Sequence, residues 1–153
     1  MRITRALRLA FRLGLPAAAL LPVGSAAVYA GEVLRGPVEA RALSVLDGDT
    51  LRVEATIWPG QVVRVAVRVR GVDAPELKSR CAAEQAAALK ARAALETLVG
   101  GAPVSLSNIG GGKYYGRVLA DVTTAEGVAI GPALLALALV RPYGGGRRGG
   151  WCG

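Results

Sequence analysis

Two turn signals, Asp47-Gly48-Asp49-Thr50 and Trp58-Pro59-Gly60, cut residues 41–70 into three short runs of strand-forming residues. Asp-Gly tolerates the backbone that a tight hairpin requires, and Pro-Gly sets a second reversal. Residues 41–46, 51–56 and about 61–70 are therefore expected to form three successive antiparallel strands, a meander. The third is the most regular. Val65, Val67 and Val69 fall on one face and Arg64, Arg68 and Arg70 on the other, before the run breaks at Gly71 and enters Asp73-Ala74-Pro75-Glu76.

The composition then switches to CAAEQAAALKARAALETLVGG, alanine-rich and free of internal glycine or proline. This predicts a helix of about five turns, with Ser79 as a possible N-cap and Gly100-Gly101 as its end. Residues 104–109 and 117–123 read as two further strands around the loop Gly110-Gly111-Gly112-Lys113-Tyr114-Tyr115-Gly116, whose glycines imply mobility. Pro132 opens a second, nearly all-apolar helix, and PALLALALV at 132–140 is too short to span a bilayer. Three strands, a helix, two strands and a helix predict an α+β fold, a five-stranded barrel with two helices packed outside. A chain of 153 residues buries one such core.

The net charge is +8, but Arg2, Arg5, Arg8 and Arg12 supply four of those charges with no acid before Glu32. That basic start, the apolar LGLPAAALLPVGSAAV and the small residues Val28 and Ala30 have the layout of a secretory signal, with the cut after residue 30. Pro16, Pro22, Gly14 and Gly24 interrupt the apolar run, which disfavours the competing reading as an uncleaved membrane anchor. The organisation expected is a signal peptide at 1–30, a linker at 31–40, a domain at 41–143 and a tail at 144–153. The exported protein would be secreted or periplasmic, a monomer without stable membrane association. Export also makes a Cys81 to Cys152 disulfide the simplest use of the two cysteines, against an intermolecular bridge or two free thiols. The tail reads as flexible over 144–150, with Trp151 and Cys152 docking its end. No histidine occurs, so imidazole triads, zinc–histidine sites and histidine general bases are excluded.

DGDT, DAPE and YYGR are each unremarkable alone. In their order here, VLDGDT at 45–50, RVRGVDAPE at 68–76, CAAE with its helix and KYYGRVLADV at 113–122, they resemble the staphylococcal nuclease (thermonuclease) family over roughly residues 41–143. The resemblance implies an oligonucleotide-binding (OB) barrel that hydrolyses DNA and RNA phosphodiesters with calcium. It implies Asp49 and Asp73 as metal carboxylates, the carbonyl of Ala74 as a further ligand, and Glu76 as the residue that orients or deprotonates water. Arg68 and Arg117 would grip phosphate, and Tyr143 could stack on a base.

Those roles agree with elementary chemistry. A hard cation on oxygen ligands offsets phosphate charge without histidine, and guanidinium forks match phosphate oxygens at two points. The sequence departs from the family in having Ala74 in place of a threonine, Tyr114 before the Tyr-Gly-Arg triplet, a glycine run where an acid is expected, and no third helix. The competing function is a non-catalytic OB-fold nucleic-acid-binding module, membrane-tethered or free.

Overall fold

The computed structural model describes residues 31–152; the segment read as a signal, with Val28 and Ala30, lies outside them. The elements run β1 (Val38–Asp47), β2 (Thr50–Trp58), β3 (Gln61–Val69), β4 (Val72–Asp73), α1 (Ala82–Val99), β5 (Pro103–Gly111), β6 (Arg117–Thr124), α2 (Ile130–Ala136) and β7 (Arg141–Pro142). Five strands close a barrel in the order β1-β2-β3-β6-β5, and β4 with β7 makes a separate two-stranded ribbon. The β3–β6 pair is parallel and the other barrel pairs antiparallel. With two helices outside, this is the α+β OB-type barrel expected.

Alternation builds the core. Leu51 and Val53 on β2, Val67 and Val69 on β3, Val104 and Leu106 on β5, and Ala120 and Val122 on β6 all point inward and are buried. Helix α1 lays Ala88, Ala91, Leu95 and Val99 on the barrel, and α2 adds Ile130 and Leu134. Burying such a branched side chain is worth about 1.5–3 kcal/mol, so the barrel interior supplies most of the fold's driving force.

Four boundaries differ from expectation for identifiable reasons. β1 begins at Val38, inside the stretch read as linker, because residues 38–41 pair with 103–106 and close the barrel. Alanines alternating with Glu39 and Arg41 are weak strand formers, so the pairing decides the conformation. The N-cap of α1 is Cys81, whose Sγ accepts from the Glu84 N–H, whereas Ser79 donates from Oγ to the Glu84 carboxylate at 2.5 Å. Helix α2 starts two residues before Pro132 and ends at Ala136; Ala138 adopts φ 55° as the chain turns to bring Arg141 beside Asp73. The glycine run is not simply a mobile loop. Gly110 and Gly111 extend β5, and Gly112 donates its N–H to the Arg117 carbonyl so closely that a Cβ there would lie 2.4 Å from that oxygen.

One contact ties this frame to the hairpin between β1 and β2. A Cβ on Gly48 would meet Ala91 Cβ at 2.6 Å and Ala74 Cβ at 2.9 Å, so turn, helix and the loop after β4 meet only because all three positions are small. Gly48→Ala should therefore destabilise the fold by about 1–3 kcal/mol through overpacking. Urea denaturation checks this, and unchanged stability would show that the hairpin can move away freely.

Candidate active site

The hairpin, the end of β3, the segment after β4 and the start of β6 meet around one groove of about 730 Å³. Asp49, Arg68, Ala74, Glu76, Arg117 and Tyr143 line it, and the buried Asp73 carboxylate reaches the same cluster through its arginine partners. The barrel register explains why the two arginines share a face. In the parallel β3–β6 pair Arg117 lies opposite Ala66 and Arg68 opposite Leu119, so the arginines are diagonal neighbours on one side of the sheet.

Asp49 is almost fully buried and fully bonded. One carboxylate oxygen accepts from Thr50 Oγ1 at 2.8 Å, and the other accepts from Arg68 at 2.5 Å and from the Ala74 N–H at 3.0 Å. Burial pushes its carboxyl above the ordinary carboxylate range, with the Arg68 charge pulling the other way. Arg68 also donates to the Val72 carbonyl at 3.0 Å and to Asp73 at 3.2 Å, and stacks 5.6 Å from the Tyr143 ring centroid. The residue expected to hold phosphate thus neutralises both buried acids in this state. Buried carboxylates need such a partner, since an uncompensated charge there costs several kcal/mol.

Arg117 is differently placed. It makes no ion pair among the described residues, its Nε has no hydrogen-bond partner there, and its guanidinium stacks on Tyr114 at 4.8 Å. An unpaired guanidinium at a groove wall is ready to receive an anion. Tyr114, the residue that precedes the Tyr-Gly-Arg triplet, is therefore the platform under that group. Arg64 lies away from the groove on Glu54 at 2.8 Å. Arg70 is structural, donating to the carbonyls of Asn108 and Leu119 and pairing with Asp121 at 3.5 Å.

Glu76 keeps its carboxylate half exposed, and its backbone N–H is held by Glu84 at 3.1 Å. Hydrogen bonds from Ser79 and from that Glu76 N–H hold the Glu84 carboxyl below its ordinary range. Glu84 therefore anchors the turn that carries Glu76, a role that the sequence pattern of the helix start did not reveal. Cys81 and Cys152 are joined in a disulfide, as expected, with Cα atoms 6.2 Å apart. Their sulfurs lie near Glu84, but sulfurs bonded to each other are not available as metal ligands.

The largest departure from expectation is the tail. Its backbone is exposed yet tied down: Tyr143 donates to the Gly146 carbonyl at 2.8 Å, and Arg141 donates to the Gly150 carbonyl at 2.6 Å and stacks on Trp151 at 3.9 Å. Between these ties Arg148 enters the groove. Its Nε contacts Asp73 at 2.6 Å, one terminal nitrogen donates to the Ala74 carbonyl at 2.8 Å, and the other pairs with Glu76. Two adjacent arginines in a glycine-rich tail look like solvated charge, and only the bridge and the Trp151 dock place one of them here.

Arg148 is also a test of whether these oxygens suit a cation. Asp73, the Ala74 carbonyl and Glu76 converge on one positive group, a set of hard oxygen donors of the kind calcium takes. The donor set fits.

A family profile described as Staphylococcal nuclease homologue matches residues 66–143, just over half of the chain. No curated protein matches it.

Proposed function

The chain belongs to the staphylococcal nuclease homologue family, and from that premise we propose that it is an exported, calcium-dependent nuclease that hydrolyses DNA and RNA phosphodiesters with little sequence choice. Family membership itself indicates a nuclease-like or nucleic-acid-binding function. The observation that carries the catalytic reading is the convergence, in one groove, of an oxygen-donor cradle for a cation with two arginines on one face of the sheet. A barrel that only bound nucleic acid would have no need to bury two carboxylates beside its phosphate contacts.

Asp49, Asp73 and the Ala74 carbonyl would hold the cation, which when bound offsets charge on the phosphate. Each side chain then has a defined task. Glu76, half exposed at the groove edge, accepts a hydrogen bond from water and directs its lone pair toward phosphorus. Arg117 presents a fork to the phosphate oxygens, and its benefit grows as the five-coordinate transition state gathers negative charge. Arg68, on the same face of the sheet as Arg117, is the second guanidinium for those oxygens. Tyr143, stacked against Arg68, offers a face for a nucleobase.

Export rests on the N-terminal layout read from the sequence. Among the described residues no helix is long and apolar enough to cross a membrane. One experiment tests both halves of the reading. The protein recovered outside the cytoplasm should have its N-terminus at about Gly31 by mass, and should digest plasmid DNA and RNA in calcium but not in excess chelator. Cleavage that survives chelator sinks the calcium mechanism, and binding without cleavage favours a binding module. Full-length chain recovered in the membrane fraction favours an anchor.

A further inference from the structure

We propose that Arg148 is an intramolecular competitor for the cation of this site, resting on the calcium reading above. One guanidinium uses three nitrogens on three oxygens, and two of those oxygens, on Asp73 and Ala74, are the assigned cation ligands. The third belongs to the residue assigned to water. A guanidinium and a divalent cation cannot share that cradle, because each needs the same lone pairs and the two charges repel. Ion binding therefore requires Arg148 to leave.

The surrounding chain makes the competition effective and reversible. Arg148 sits between two fixed points: β7 and Tyr143 on one side, and the disulfide at Cys152 with Trp151 stacked on Arg141 on the other. A short span between fixed ends keeps the guanidinium at high local concentration. Gly144, Gly145 and Gly146 before it and Gly149 and Gly150 after it let the span swing out without a side-chain clash. A buried like-charged pair also needs a counter-charge whenever the ion is away. Arg148 supplies it jointly with Arg68, since both contact the same Asp73 oxygen.

The apparent dissociation constant of a ligand rises by the reciprocal of the fraction of protein competent to bind it, so a group seated nine-tenths of the time weakens calcium binding about tenfold. Calorimetric titration of calcium into the disulfide-bonded protein, without nucleic acid, reads this directly. Arg148→Gln, which keeps the bridge and the tail, should bind calcium about tenfold more tightly. Arg148→Lys, a point donor that cannot span three oxygens, should fall between the two. An unchanged or weaker constant in Arg148→Gln would overturn the competition while leaving the calcium site standing. Absence of calcium binding in all three proteins would overturn both.

Discussion

Arg117→Lys is expected to lower the turnover of nucleic acid by about 10²–10³-fold while leaving stability nearly unchanged. Loss of one preorganised donor to a developing oxyanion has that size of effect, and lysine keeps the charge but loses the two-point fork. Arg117 is the cleaner of the two arginines to test. Arg68 is bonded to Asp49, Asp73 and the Val72 carbonyl, so its substitution also strands two buried acids and confounds catalysis with folding. Arg117 has no such partners among the described residues, and its stacking on Tyr114 survives in part with lysine. Single-turnover digestion at saturating substrate, with a thermal melt on the same sample, separates rate from stability. Arg64→Ala serves as control because its partner Glu54 lies away from the groove. Equal losses in the Arg64 and Arg117 variants would show that the effect is bulk charge, and the assigned phosphate position would then be wrong.

Removing the Cys81–Cys152 bridge, by reduction or by the double Cys→Ser substitution, should destabilise the fold by roughly 4 kcal/mol. The bridge spans 71 residues of sequence, and on chain-entropy grounds closing a loop of that length restricts the unfolded state by about that much. For a small domain this is a large share of the total. The native state adds a local reason. Cys81 caps α1 through its sulfur, and Cys152 ends the tail that Trp151 docks, so the bridge joins a helix start to a segment with little other burial. Urea titration of oxidised and reduced protein measures the difference. A midpoint that moves while the slope stays constant would assign the loss to stability alone. Coincident curves would mean that the tail contributes nothing to the fold.

The barrel was legible in the sequence because alternation and turn residues specify strands locally. The Asp47-Gly48 and Pro59-Gly60 turns and the valines of β3 each dictate their own conformation. The first three residues of β1, 38–40, were not legible, because what makes them a strand is the neighbouring β5, more than sixty residues away in the chain. The ribbon of β4 and β7 has the same origin: two residues on each side pair only because α2 stops early and returns the chain to Asp73. In the site, Asp49, Arg68, Ala74, Glu76 and Arg117, each carried by a local motif, line a single groove, and Asp73 joins them through Arg68 and Arg148. What the pattern could not convey is which charge satisfies which. Arg68 engaging the acids, and Arg148 reaching Asp73 from the far end of the chain, depend on distances that no local motif encodes.

The bridge also changes what a cut in the chain would do. From Cys81 to Cys152 the backbone is closed into a covalent ring, with residues 31–80 hanging from it as a tail that holds Asp49, Arg68, Asp73 and Glu76. The loop at 113–115 is an exposed point of that ring, with the Tyr115 side chain wholly in solvent and Lys113 beside it. A protease that cleaves there opens the ring without dividing the molecule. Arg117, Tyr143 and Arg148 stay attached through sulfur to the half that carries the acids, and strand pairing on both sides of the nick holds the groove in register. Proteolysis at this loop therefore yields a nicked single particle, and two fragments appear only when a reductant follows the protease.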